Sequence, residues 1–553
     1  MYFADFETTQ FNPNEENPCV GVYLWAIVSG SYEKHGFTIE SFIELIKTMS
    51  GTIYFHNLKF DFSYIHYYCL EHNIDVKILE KGGQLYQVKL FDVDLRDSMN
   101  FLPMTLKEIG ENYNEKYQKT SIDYNVNNGH KATQQEIDYC INDCRVLEEG
   151  FNKYIETLCD VLKEAGCFKT VKKVNKKLTN AGIAFECFKE LSNFSNCCPK
   201  TTQNEYNLFS SAYKGGYVYS NPKGIVTNVQ MIDVNSLYPF IYSTIDMPIG
   251  KPITCKSEQE LNKFKFGILK VLIKYELKQG YIPIIGGGIG KFGNTLYKSS
   301  SSGEFEEQTF CTTDFNLIKR FYDIEYEFVW GFGFECCPKF FERFAQTFIE
   351  FKNRYKGVKR AVAKILLNSP YGKTAMNGFQ EIYSYNIKEK DKSIEKTVVG
   401  YEIDENAYQY LPMAIAITAG ARQKLLSTAE EIGFENIYYM DTDSIKYQNK
   451  PVDFEFDDNI LGMWKDEGLV DLFKTISPKK YVYWSSKDNV IKYTCAGFNK
   501  KTLEEQMYHG KVVSKNKAKQ LMRKFSEGLT LECLQSKLVK GGRALILVKK
   551  EIK

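Results

Sequence analysis

Two carboxylates separated by one residue, in Tyr438-Tyr439-Met440-Asp441-Thr442-Asp443-Ser444, constrain this chain more than any other stretch. Apolar and aromatic residues precede the acids, and Ile445, Lys446 and Tyr447 follow. The pattern predicts two short strands meeting at a tight turn with the acids at its tip. Acids so placed suit a hard divalent cation held beside a phosphate. A solvated hairpin turn is the competing reading, because Asp and Thr favour turns anyway. The rest of the chain has to decide between them.

The first third adds four acids. Residues 2–9 read as a strand, and period-2 geometry puts Asp5 and Glu7 on one face. Two carboxylates on one face of an apolar strand repel each other unless a cation neutralises them. A second strand at 53–55 runs into His56-Asn57-Leu58-Lys59-Phe60-Asp61, placing a third acid at a strand-to-helix junction. The fourth, Asp143, falls in a helical pattern from about 134 to 147, where Tyr139 shares its face four residues back. Between them, the run Lys119 to Tyr124 offers a lysine beside a tyrosine. Singly, each acid also reads as a cap or a surface charge.

Residues 159–202 are Lys-rich and helical in pattern, a connector. Tyr213-Lys214-Gly215-Gly216-Tyr217 follows, and it reads as a tight turn, since paired glycines permit positive φ. In Met231-Ile232-Asp233-Val234-Asn235-Ser236-Leu237-Tyr238-Pro239 an apolar strand delivers Asp233, and Pro239 is expected to close the segment. Residues 243–345 form a long insert. Within it Gly286 to Lys291 invites a phosphate-loop reading, which fails because Ile285 and Phe292 stand where Gly and Ser or Thr are needed. A mobile loop is the expectation there. Residues 344–367 read as one helix on which Lys352, Lys356, Arg360 and Lys364 recur every four residues as a basic stripe. The stripe ends in Asn368-Ser369-Pro370-Tyr371-Gly372. After the acidic hairpin, Lys479 and Tyr481 lie two apart, facing the same way if that stretch is a strand.

Composition narrows the class. At 553 residues, 43% of them hydrophobic, the chain has material for several cores, about three to four domains by the usual length prior. The net charge of +2 means that any nucleic-acid surface must come from local segregation of charge. The 15 cysteines include no C-x-x-C, and the six histidines show no zinc-type spacing. The start lacks the pattern of a secretory signal, and no apolar run is long enough to span a membrane. The reading is a protein of a reducing compartment.

Taken in order, these motifs resemble those of family B DNA polymerases that carry a 3′-5′ exonuclease. The resemblance runs from Asp5 to about Gly497. It implies an α/β multidomain fold: an RNase H-like exonuclease domain at 1–165, then a right-hand polymerase domain at 166–553 with palm, fingers at 346–375 and thumb at 500–553. In the first domain Asp5, Glu7, Asp61 and Asp143 would hold two metal ions, with Tyr139 orienting water and Lys119 adding positive charge. Asn57 and Phe60 would grip a frayed single strand, and Ser98 would add a further contact. Tyr213, Gly215 and Gly216 would contact template between the two domains. In the second domain Asp233, Asp441, Asp443 and the Val234 carbonyl would hold two Mg²⁺ ions, with Mn²⁺ as a substitute. Arg360, Lys364 and Lys352 would bind the triphosphate, Tyr238 would exclude a 2′-OH, and Asn368 and Tyr371 would pack on the nascent base pair. Lys479 and Tyr481 would hold the primer end. Pro370 departs from the usual fingers motif.

The two inserts, 243–345 and 376–410, resemble those of the protein-primed branch of small bacteriophages with linear genomes. That branch implies a terminal protein as primer, docked by the first insert, and DNA encircled by the second. The implied partners are DNA template and primer, dNTPs and a terminal protein, with no membrane. The implied protein is a monomer in the host cytoplasm. A DNA- or RNA-primed repair or replication polymerase is the rival enzyme reading. A nucleic-acid scaffold with decayed sites is the rival outside enzymes, opposed by the presence of every acid both sites need.

Overall fold

The computed structural model describes residues 1–15, 17–122, 126–289, 295–449, 454–498 and 500–552. Tyr124, of the Lys119 motif, and Lys291 and Phe292, of the glycine-rich run, lie outside them.

The N-terminal third is built on a seven-stranded sheet. In spatial order it runs Tyr32–Gly36, Val22–Ser29, Tyr2–Thr8, Gly51–Phe55, Val93–Asp97, Gln84–Leu90, Lys77–Lys81. The first three strands form an antiparallel meander, and Gly51–Phe55 runs parallel to both Tyr2–Thr8 and Val93–Asp97. This is the RNase H-like α/β arrangement. The strand Tyr2–Thr8 is central and covered on both faces, so Glu7 leaves solvent with it and Asp5 is left half-buried. Helix Leu58–Glu71 packs on one side and helix Gln134–Glu164 on the other. The latter runs well past the expected end near 147. Its start is fixed by a Thr133/Glu136 capping box, which typically stabilises a helix by about 1 kcal/mol.

A second seven-stranded sheet, wholly antiparallel, holds the acidic hairpin. Its order is Val490–Cys495, Lys480–Ser485, Trp464–Ser477, Val226–Val234, Ser444–Gln448, Ile437–Asp441, Val218–Ser220. Helix Leu411–Ile432 is apolar on every face of its first half, Leu411 to Ala421, and 17 of its 22 residues are buried.

The first insert folds as a four-stranded antiparallel sheet with helix Thr312–Phe321. The expected mobile loop at Gly286 is instead a strand, Ile285–Ile289, paired with Thr295–Lys298. Two long hairpins project from the second half of the chain, and both dock on the N-terminal unit. Phe379–Ile387 with Ile394–Ile403 is held by a Lys396–Glu80 ion pair of 2.8 Å and by the Tyr385 hydroxyl donating to Glu80 at 3.0 Å. Leu529–Val539 with Gly542–Ile552 is held by the Tyr64 hydroxyl donating to the Arg543 carbonyl at 2.6 Å.

Four local expectations are corrected. The single helix at 344–367 is two, Glu342–Arg354 and Gly357–Asn368. Gly357 has φ +54°, a break that side-chain periodicity cannot register, so Lys352 and Arg360 do not share one stripe. Pro239 does not close its segment: it lies in the first turn of helix Leu237–Thr244, where a missing N–H costs nothing. Gly215 and Gly216 have no positive φ, so they make no such turn. Lys479 sits in the turn before strand Lys480–Ser485, with φ +61°, so strand alternation does not relate it to Tyr481.

Candidate active sites

The N-terminal acids converge. Asp5 and Glu7 project from the central strand, Asp61 from the first turn of helix Leu58–Glu71, and Asp143 from helix Gln134–Glu164. Asp61 and Asp143 are each 3% exposed. Burial is the main cause of their raised carboxyl pKa values. Asp5 is pushed up to about 7, with the charge of Asp143 the next cause. Glu7 is pushed up to about 9, with Asp5 and then Asp143 adding to burial. Asp61 is raised by burial and then by Asp5. Asp143 is raised by burial, an effect that Lys119 offsets. The Lys119 ammonium touches Asp143 Oδ2 and the Tyr139 hydroxyl. Asp143 Oδ1 is buried with no hydrogen-bond partner.

Four clustered carboxylates, one ammonium and an unpartnered buried oxygen amount to a local deficit of positive charge. Divalent cations that prefer oxygen donors fit this set. Among the described residues, one set of three donor atoms lies within 4.8 Å of one another: Asp5, Glu7 and, unforeseen from sequence, Cys140.

Around this cluster, Asn57 is exposed in the left-handed region, and Phe60 is half-buried with its ring 5.7 Å from Tyr64. Ser98 departs from expectation as a contact for a strand. It is fully buried, its hydroxyl donating to the Phe55 carbonyl at 2.9 Å and lying 2.9 Å from His56 Nδ1. It fixes the end of a strand and presents nothing to solvent.

The second cluster depends on long-range strand pairing. Val226–Val234 runs between Ser444–Gln448 and Trp464–Ser477, and its register sets Asp233 opposite Ser444, next to Asp443. The Val234 N–H donates to the Asp443 carbonyl at 2.8 Å. Asp441 and Asp443 flank Thr442 at the hairpin tip, as expected, and Thr442 has φ +57°. Burial raises the Asp233 carboxyl to about 7, helped first by Asp443 and then by Glu467. Burial also raises Asp443. Glu467 is not singled out by the sequence; it is the extra residue of the bulge between Asp466 and Gly468, which pair with Ile232 and Met231. Lys446 and Lys465 offset these acids only in part, and the chemistry of the remaining oxygen donors fits divalent cations.

The hairpin is held from behind. The Thr442 N–H donates to the Tyr217 carbonyl at 2.9 Å. Gly216 lies so close that an added Cβ would sit 2.5 Å from Thr442 Oγ1. This close approach accounts for a glycine there. Arg422 pins the same segment. Its Nε and Nη2 donate to Asp314 at 3.0 and 2.5 Å, while Nη1 donates to the carbonyls of Lys214 and Gly215 at 2.5 and 2.7 Å. Neither Arg422 nor Asp314 is singled out by the sequence, although an arginine directly after the apolar run 411–421 is a signal. Lys479 joins from another side, its N–H donating to the Tyr439 hydroxyl at 3.0 Å, and that hydroxyl donates to Asp441 at 3.2 Å. Lys479, Tyr481, Asp441 and Asp443 line one open depression, so they meet despite the failed strand argument.

Of the basic residues, Arg360 and Lys364 are exposed and Lys352 is buried. Lys352 Nζ donates to Asn235 Oδ1 at 2.8 Å and to Ser236 Oγ at 3.3 Å. Desolvation, then Arg360 and Lys364, lower its pKa to about 8. Arg360 Nε reaches back to the Lys352 carbonyl at 3.1 Å, which brings the two helices' cations together by tertiary contact. Asn368 caps its own helix, its amide donating to the Lys364 carbonyl at 2.8 Å. Tyr371 stacks on Tyr238 at 4.2 Å between centroids.

Comparison with known proteins places these sites in context. Residues 43–134 and 125–453 match the family described as DNA polymerase type B, organellar and viral. The DNA polymerase of Bacillus phage Nf is 27% identical over 527 residues, covering 87% of this chain and 86% of the relative. That of Bacillus phage phi29 is 27% identical over 522 residues with the same coverage, and that of Streptococcus phage Cp-1 is 25% identical over 527 residues. A solved structure of phi29 DNA polymerase with primer-template DNA and incoming nucleotide superposes at TM-score 0.84, with 24% identity and full coverage of both chains. Among the described residues, no helix is long and apolar enough to cross a membrane.

Proposed function

Because this chain belongs to the organellar and viral type B DNA polymerases, we propose that it copies DNA from dNTPs at the Asp233/Asp441/Asp443 cluster and removes 3′-terminal nucleotides at the Asp5/Glu7/Asp61/Asp143 cluster. The observation that carries this is the existence of two separate acid clusters, one largely buried and one half-buried, built on two different sheets. Bound Mg²⁺ or Mn²⁺, two per cluster, supplies charge neutralisation at the phosphate and lowers the pKa of the attacking oxygen.

The chain's own residues do the rest. Asp233, Asp441 and Asp443, with the Val234 carbonyl, would hold the cations. Arg360 and Lys364 bind the triphosphate from the opposite side, and Lys352 joins them from its Asn235 tether. Tyr238, backed by Tyr371, walls the sugar and leaves no room for a 2′-OH. Asn368 and Tyr371 pack on the new base pair, and Lys479 and Tyr481 hold the primer end. Tyr213, Gly215 and Gly216 pass the strand between the two sites. At the N-terminal site, Tyr139 orients water, Lys119 adds charge, and Asn57 and Phe60 grip the frayed end.

In this reading residues 1–165 are the exonuclease unit and 166–553 the polymerase unit. The antiparallel sheet serves as palm, 346–375 as fingers and 500–553 as thumb. Initiation uses a hydroxyl of a terminal protein docked on 243–345, within phage replication in the host cytoplasm. The docking of both long hairpins onto the N-terminal unit supports a chain that closes around DNA. The test combines primer extension with Mg²⁺ and labelling of the terminal protein from the same genome. Transfer of one labelled dNMP to that protein supports the reading. Extension of primed DNA with no labelled protein favours the DNA- or RNA-primed alternative.

A further inference from the structure

Cys140 has no part in the chemistry above, yet its thiol lies inside the N-terminal acid cluster. Its Sγ is among the three donor atoms within 4.8 Å of one another, and it donates weakly to the Asp5 carbonyl at 3.5 Å. The geometry is that of two rigid elements facing each other. Asp5 and Glu7 stand two apart on one strand face, and Cys140 and Asp143 stand three apart on one helix face. Asp143 contributes an independent sign of a missing ligand, since Oδ1 is buried without a partner in a side chain 3% exposed.

We propose that Cys140 is a metal ligand, so that Asp5, Glu7, Asp143 and Cys140 form a mixed carboxylate–thiolate site that takes thiophilic divalent cations of the Zn²⁺ and Co²⁺ class. The inference rests on reading this cluster as a metal site and goes beyond it by assigning the sulfur donor. Three carboxylate oxygens and one sulfur match a four-coordinate ion with arms of about 2.0–2.3 Å. Closing Asp5, Glu7 and Cys140 onto such an ion requires their donor atoms to draw in by about 1 Å. Mg²⁺ demands six oxygen-type ligands in octahedral geometry and gains nothing from the thiol. On binding, the S–H bond gives way to an S–metal bond, the proton leaves to buffer, and no electron is transferred.

The competing account is a cysteine buried as a small apolar side chain. The test titrates Co²⁺ into reduced, metal-free, full-length protein. The proposal predicts a sulfur-to-cobalt charge-transfer band that saturates with one equivalent. The band is lost in Cys140→Ser and in Cys140→Ala, with Co²⁺ affinity weakened at least about tenfold, the lower end of what losing even an outer partner costs. It persists in Cys144→Ser, one helical turn along. A band that survives in the Cys140 variants, or bound cobalt without a band in the wild type, overturns the proposal. If both Cys140 variants fail to fold, the wild-type spectrum, read beside that of Cys144→Ser, still decides. Mg²⁺-dependent digestion of 3′ ends by the wild type is measured in parallel. Its absence would overturn the exonuclease reading and would leave the cobalt spectrum unaffected.

Discussion

Replacing Gly216 by alanine should cripple DNA synthesis while sparing 3′-end digestion. The new Cβ would meet Thr442 Oγ1 at 2.5 Å, Cγ2 at 2.9 Å and Cβ at 3.0 Å. Ordinary carbon contacts lie near 3.5–4.0 Å, so something must yield by roughly 0.5–1 Å. Thr442 cannot move alone. Its N–H is bonded to the Tyr217 carbonyl at 2.9 Å and its hydroxyl to Asp441 Oδ1 at 3.2 Å. Displacing it therefore displaces the two acids that flank it. A misplacement near 1 Å at reacting groups costs about 10²-fold in rate, or roughly 2.7 kcal/mol of barrier. If the backbone holds instead, overpacking costs about 1–3 kcal/mol of stability. The assay is single-nucleotide extension kcat, with digestion on the same preparation as the control for folding. Adding Thr442→Gly removes the clashing atoms at a position whose φ of +57° suits glycine, and it should restore about tenfold. Extension by Gly216→Ala within about twofold of wild type would refute the reasoning, as would a double variant no better than the single one.

Three further outcomes follow from the geometry. Metal-free protein should lose stability as pH rises. Folded Asp5 and Glu7 titrate near 7 and 9, above their unfolded values, so the native state binds the extra protons. The melting temperature in EDTA should fall from about pH 6 to about pH 9, and Mg²⁺ should raise it most at the alkaline end. The KM for dNTP should rise as pH passes about 8, where Lys352 loses its charge, and Lys352→Arg should flatten that profile. Asp314→Ala should destabilise the fold by about 3–5 kcal/mol by leaving Arg422 buried and unpaired, whereas Asp314→Leu with Arg422→Met should recover most of the loss in a melting experiment.

What the residues disclosed in advance was local. Period-2 spacing put Asp5 and Glu7 on one face, and the Asp-Thr-Asp pattern gave the hairpin, because both depend on neighbours in the chain. The meeting of Asp233 with Asp443 depends on one strand inserting between two others more than two hundred residues on, which no local period encodes; motif order alone pointed to it. Periodicity predicts one helix at 344–367, because the glycine at positive φ that divides it leaves the periodicity undisturbed. Lys352 consequently turned up buried on Asn235. Ser98 looked like a surface contact because nothing in its neighbours marks a serine whose hydroxyl is taken by the strand beside it. Cys140 was hidden in a helical pattern that any apolar residue satisfies.

The central claim is that two acid clusters perform separate chemistry, and paired single substitutions test it most directly. Asp443→Ala and Asp5→Ala are each assayed with Mg²⁺ for primer extension and for loss of 3′-terminal nucleotides. The account predicts that Asp443→Ala abolishes extension and still digests 3′ ends, while Asp5→Ala does the reverse. Continued extension by Asp443→Ala, or loss of both activities in either folded variant, would contradict it.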